Sequence, residues 1–270
     1  MAIITISRGS YSKGKEVAEK VAEKLGYNCI SRDVLLEASE HFHIPEIKLV
    51  RAIHDAPSIL HRFSYDKEAY IAYIQSALAT RVRNDNVVYH GLAGHLLLKG
   101  IPHVLKVRIT ANLADRVADE MSRERISEVK ARTLILKDDE ERRKWTQSLY
   151  GVDPWDSHLY DLVLRVHKLT VADAVNFICE AATSQAFKTT PASQQKMDDL
   201  ALACEIKAAL IESFPDVAVT SEYGNVVVYT KGRDRSTHRL QKRTKELRDK
   251  MGEIKYIEVH AGKSFPPDAV

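Results

Sequence analysis

The chain has 270 residues, 44% hydrophobic and 29% charged, with a formal net charge of +3. These values describe a globular protein of one large or two medium domains and give no case for nucleic acid as a partner. The three cysteines, Cys29, Cys179 and Cys204, are far apart, odd in number and outside any metal-ligand spacing, so they read as reduced thiols of a cytoplasmic protein. The opening Met-Ala-Ile-Ile-Thr-Ile has no basic region and no long apolar core, so it is not read as a secretory signal, and no apolar stretch approaches a membrane span of about 20 residues.

A short apolar strand starts at Ile3. A turn with glycines at 9 and 14 follows, then Lys15 and a helix over Glu16–Leu25, with Val17, Val21 and Leu25 on one stripe and Gly26 as its stop. Gly9-x-x-x-x-Gly14-Lys15 fits the phosphate-binding loop pattern up to its last position. Glycines let successive N–H groups turn inward toward phosphate oxygens, the helix start adds partial positive charge, and the lysine reaches the outer phosphates. The candidate cradle is Gly9, Ser10, Tyr11, Ser12, Lys13, Gly14, Lys15 and Glu16, where Ser10 and Ser12 are either hydroxyl donors to phosphate or turn residues. The pattern asks for Ser or Thr after the lysine, to hold magnesium, and Glu16 stands there instead.

Tyr27–Ser31 reads as a second strand, and Ser31 or Asp33 can cap a helix running to about Glu40. Ile44–Phe63 reads as broken helical pieces, and Asp66–Arg83 as a clearer helix. Val87–Tyr89 is strand-like and runs into His90-Gly-Leu-Ala-Gly-His95, after which a helical piece should end at Gly100. Val104–Ile109 is a strand, and Asn112 can cap a helix over Leu113–Arg123. Ser127–Leu149 is a charged helical stretch carrying Arg132, Asp139, Arg142 and Arg143. Leu159–Val166 is a strand and Thr170–Thr183 a helix. Strands alternating with helices predict a doubly wound parallel α/β sheet. Residues 185–196 are polar and read as a linker, after which helix, two strands, helix and strand form a small α+β unit (αββαβ) over 197–262, with a loose tail over 263–270.

Four stretches of residues 1–184 resemble the cytidylate kinase-like proteins among the P-loop nucleoside monophosphate kinases. They are residues 6–16; Ser31-Arg32-Asp33; Arg116-Val-x-x-x-Met-x-Arg123; and Asp139-x-x-Arg142 followed by Gly151-x-Asp-x-Trp155 and Tyr160-Asp161-Leu162. The resemblance implies a P-loop-type sheet with a helical lid, and ATP-dependent phosphoryl transfer to a nucleoside monophosphate, with CMP or dCMP first. It also implies magnesium held mainly through ATP, and Glu16 is familiar in this branch. A Gly-Arg-Gly-type turn is usual where this chain has His90-Gly91-Leu92-Ala93-Gly94, so one arginine is absent. Residues 197–262 are similar to a BON domain, which implies contact with a protein or a membrane surface.

On that reading Lys15 meets the β- and γ-phosphates, and lid arginines close over the transferring group, with Arg123, Arg132, Arg142 and Arg143 as the candidates. Arg142 leads, because Asp139-x-x-Arg142 puts both residues on one helical face. Asp33 either meets the nucleoside or caps its helix. Arg32, His90 and Gly91 complete the expected acceptor side, with His90 and His95 suited to packing or a substrate hydrogen bond rather than to a metal. Trp155 and Tyr150 either stack on a base or serve as lid and core aromatics. The alternatives are a nucleotide-binding regulatory protein with little or no transferase activity, and an adaptor acting through 197–262.

Overall fold

The computed structural model describes residues 2–9, 12–31, 33–46, 48–49, 64–91, 93–231, 234–262 and 264–270. The helical pieces expected between 50 and 63 lie outside the described residues. The chain forms two compact units that are not consecutive in sequence. One contains the described residues up to Asp33 together with Asn84–Thr189; the other contains those from Val34 to Arg83 together with Thr190–Val270.

The first unit is built on a five-stranded, all-parallel sheet in the order β2-β3-β1-β4-β5. The strands are β1 (Ile3–Arg8), β2 (Asn28–Ile30), β3 (Val87–His90), β4 (Val104–Ala111) and β5 (Leu162–Val166). Ile3, Ile4, Thr5 and Ile6 are all buried, as a central strand covered on both faces requires. Helix α1 (Gly14–Leu25) lays Val17, Ala18, Val21 and Ala22 on the sheet and stops at Gly26, whose φ of 68° is the left-handed cap. The strand expected over Leu159–Val166 begins later, because Ser157–Leu159 forms a 3₁₀ turn.

Helix α2 (Asp33–Phe42) and helix α3 (Ser64–Val82) belong to the second unit, whereas the sequence pattern assigns them to the kinase-like half. Back in the first unit, α4 (Gly94–Leu97) is a single turn. Helix α5 (Leu113–Glu124) and helix α6 (Glu128–Tyr150) form a hairpin with a small core of Val117, Ala131 and Ile135. Helix α7 (Val171–Thr183), opened by a reciprocal capping box between Thr170 and Asp173, packs with α1.

The second unit centres on α8 (Pro191–Ile211) and a sheet of β6 (Val217–Glu222), β7 (Asn225–Thr230) and β8 (Tyr256–Ala261), with α9 (Asp234–Lys250) between β7 and β8. Half of the expected linker is helix. Thr190 and Ser193 cap α8 reciprocally, and Pro191 fixes its first turn. Tyr223 and Gly224 turn the β6–β7 hairpin with positive φ, and a side chain at 224 would sit 2.7 Å from the Glu253 carbonyl, so only glycine fits. The expected loose tail is anchored: Val270 exchanges backbone hydrogen bonds with Val219 at 3.2 and 3.0 Å.

Asp199, nearly buried on α8, accepts from Ser221 Oγ (3.1 Å), Gln195 Nε2 (3.2 Å) and the Gly224 amide (3.4 Å), tying helix to hairpin. Asp199→Ala leaves three donors short of an acceptor. It is expected to lower unfolding free energy by about 2 kcal/mol in urea denaturation, and a loss below about 0.5 kcal/mol would remove this clamp from the account.

Candidate functional site

The parallel register brings Ser7 beside Arg108 and Ile6 beside His90, so the carboxyl ends of β1, β3 and β4 meet at one edge. Open α/β sheets place ligands at that edge. The loop after β1 is pinned there. The Gly9 amide donates to Ile109 O (3.2 Å), and the buried Ser12 hydroxyl shares its proton between Gly9 O (2.8 Å) and Ile109 O (3.2 Å). Ser12 therefore braces the loop in this structure.

Lys13 takes the left-handed conformation (φ 62°), and as the N-cap of α1, which begins at Gly14, its side chain makes no capping hydrogen bond. The first amides of a 12-residue helix are thus open at the loop, a fit for phosphate oxygens. Gly14 is needed for space: a Cβ there would lie 2.7 Å from Arg8 Cβ. Lys15 is exposed with its ammonium 3.6 Å from Glu19, Lys13 reaches Asp119 at 3.7 Å, and Glu16 pairs with Lys20 at 2.7 Å. Ser10, Tyr11 and Arg32 lie outside the described residues.

Beside the loop opens a small cleft, lined by Arg8, Gly9, Arg108, Arg142 and Arg143 together with Ala93, His95, Asp139 and Trp155. Its floor comes from β1, β4 and the turn after β3, and its wall from α6. Of the expected lid arginines, Arg142 lines the cleft, and Arg123 and Arg132 do not. Arg123 pairs with Glu120 (2.5 Å) and Glu124 (3.2 Å) along α5. Arg132 lies exposed ten residues before Arg142 on the same helix, roughly 15 Å along its axis and on another face. Arg8 and Arg108 line the cleft as well. Arg108 had a visible signal, a charge inside the apolar strand Val104–Ala111.

Arg116 on α5 donates to Asp139 on α6 (2.7 Å), and both side chains are largely buried. Arg143 donates to Asp153 through Nε (3.0 Å) and Nη2 (2.6 Å) and stacks over the Trp155 ring at 4.5 Å. Asp153 is held below the usual carboxylate range by that guanidinium. Tyr150 is a core aromatic against Trp145, whereas Trp155 is half-exposed in the cleft. Asp33, the first residue of α2, accepts from the Ser31 amide (3.4 Å), and Gly91 lies close against the Tyr89 ring.

His90 and His95 are both about 95% buried, at 6% and 5% exposure. Burial, with Arg8 nearby, pushes His90 down to about 4; burial, with Arg108 and Lys106 nearby, pushes His95 down to about 3. Of the two, His95 lines the cleft. An unfolded histidine takes its proton near 6.5, so the unfolded chain binds more protons below that pH and stability falls as pH drops from about 6.5 toward about 4. The thermal midpoint is expected to fall over this window, and less steeply in His90→Phe; an equal slope in the variant would show that His90 is not buried neutral.

Among the described residues no three His, Cys, Asp or Glu side chains converge as a metal-ligand set, and no helix is long and apolar enough to cross a membrane. An open helix start after a glycine turn, at the centre of a parallel sheet ordered 2-3-1-4-5, defines a P-loop kinase-type α/β domain. The chain belongs to the cytidylate kinase-like family, which matches residues 3–168.

Among solved structures, an uncharacterized protein from Eubacterium ventriosum ATCC 27560 is similar over 68% of this chain and 100% of its own, at 20% identity and a TM-score of 0.53. Shikimate kinase from Bacteroides thetaiotaomicron is similar over 67% of this chain and 97% of its own (11% identity, TM-score 0.41). A gluconokinase from Sinorhizobium meliloti 1021 is similar over 68% and 93% (15% identity, TM-score 0.40). No curated protein matches the chain.

Proposed function

We propose that the first unit transfers the γ-phosphoryl group of magnesium-ATP to a nucleoside monophosphate, with CMP or dCMP as the first acceptor to try. Family and fold support a nucleotide-dependent kinase. The observation that carries the reading is the arginine-lined cleft beside the open helix start. Phosphoryl transfer asks the protein for position and neutralised charge, and this arrangement has both. The loop amides and Lys15 would hold the donor's phosphates, and Arg142 would neutralise charge on the transferring group. Arg143 and Trp155, clasped by Asp153, would cover the cleft and exclude water. Magnesium would be held through phosphate oxygens and water, since Glu16 is engaged with Lys20.

The test is coupled ADP release from magnesium-ATP with CMP, dCMP, UMP, AMP and GMP in turn. Turnover with one of them names the acceptor, and ATP binding without turnover on any sinks the kinase reading. The second reading, a nucleotide-binding regulatory protein, draws on the Lys15–Glu19 and Glu16–Lys20 pairs, which occupy both residues of the motif's end. The αββαβ order of residues 191–261 supports a BON-like docking role for residues 197–262, which vesicle and protein binding by the full chain would test.

A further inference from the structure

Arg108 differs from three other arginines that are buried or half-buried. Arg116 has Asp139, Arg143 has Asp153, and Arg83 of the second unit has Asp198 and Glu253. Arg108 is 8% exposed, and its Nη1 donates to Tyr160 Oη at 3.3 Å. Among the described residues no carboxylate lies within ion-pair distance of it, and its other contact is with the Tyr160 ring at 5.6 Å. The tyrosine hydroxyl in turn donates to Pro154 O at 2.9 Å, so it remains a neutral acceptor. A guanidinium carries five N–H donors, and a buried one facing a neutral oxygen is costly unless an anion completes it.

His95 stands in the same floor, its ring 4.6 Å from the Tyr160 ring, and neither of its nitrogens has a hydrogen-bond partner among the described residues. A neutral imidazole there has one N–H to give to an oxyanion and adds no competing charge.

We propose that Arg108 and His95 form an anion subsite in the floor of the cleft that takes the acceptor's phosphate. The naming of the ligand as an acceptor phosphate rests on the kinase reading; the subsite itself does not. The turn is closed against the sheet, since a Cβ on Gly94 would lie 2.5 Å from the Tyr89 ring. Arg108, on the neighbouring strand, is in register with Ser7, two residues before Gly9. Arg142, on the same cleft, completes a two-sided grip on a dianion.

The probe is inorganic phosphate, titrated into the full chain saturated with a non-hydrolysable ATP analogue so that the glycine loop is already filled. Thermal shift and Trp155 fluorescence report binding. Phosphate should raise the midpoint of the wild type. Arg108→Gln should weaken phosphate at least tenfold while the ATP analogue stays within twofold, Arg108→Lys should recover part of the loss, and His95→Phe should weaken phosphate severalfold. If Arg108→Gln does not fold, Arg108→Lys and His95→Phe carry the same comparison.

Phosphate bound equally by wild type and Arg108→Gln overturns the subsite, as does a wild type that binds the ATP analogue but no phosphate. Phosphate held through Arg108 with no transfer to any monophosphate supports the subsite and removes the kinase reading. Full-rate transfer by Arg108→Gln does the reverse.

Discussion

Lys15→Ala is expected to lower phosphoryl transfer by about two to three orders of magnitude, the usual scale for removing one charged or hydrogen-bonding group aimed at a transition state. The structure holds Lys15 on the first turn of α1, beside amides that no side chain caps. Its ammonium is 3.6 Å from Glu19, with both side chains more than half exposed, and a pair of that kind contributes only about 0.3–0.5 kcal/mol. The lysine is therefore free to leave Glu19 for a phosphate at little cost. Coupled ADP release with the best monophosphate measures the effect, with far-ultraviolet circular dichroism to show that α1 is intact. A variant within threefold of the wild type would take Lys15 out of the chemistry.

Arg116→Ala is expected to cost about 3 kcal/mol of stability and most of the activity together. Its guanidinium is the buried tie between α5 and α6, lies against the loop at Gly9, and leaves the Asp139 carboxylate in the cleft wall when removed. The hairpin has little else to hold it, since its buried apolar core is Val117, Ala131 and Ile135. Asp139 and Arg142 share a helical face, so a shift of one moves the other. The double variant Arg116→Met with Asp139→Leu is expected to regain stability without activity, because it removes both charges while keeping volume. Urea denaturation of the three proteins decides: a loss under 1 kcal/mol in Arg116→Ala would mean that the pair anchors nothing.

The parallel sheet was legible because its strands are short apolar runs separated by helical stripes, and β1 followed by Gly9 and Gly14 marks the central one. Local chemistry also found Arg142, through its spacing from Asp139. Spacing along one helix could not exclude Arg123 and Arg132, since which face meets the cleft is decided by packing against α5 and the sheet. Arg8 and Arg108 were missed for the complementary reason. They converge through parallel register between strands a hundred residues apart, which no local window contains. The assignment of α2 and α3 to the second unit is likewise a tertiary outcome. The start of α8 was readable, since Thr190-Pro191-Ala-Ser193 has the form of a helix opening, but the polar run around it reads first as a linker.

The Val219–Val270 pairing has a consequence for association between molecules. β6 is an outer strand of its sheet, and an outer strand with free amides and carbonyls is a template on which another chain can add. The terminal segment occupies that template at Val219, with backbone bonds in both directions. Chains clipped before Pro266 would keep their core and bare this edge, so they should self-associate and bind thioflavin at concentrations where the full chain stays dispersed.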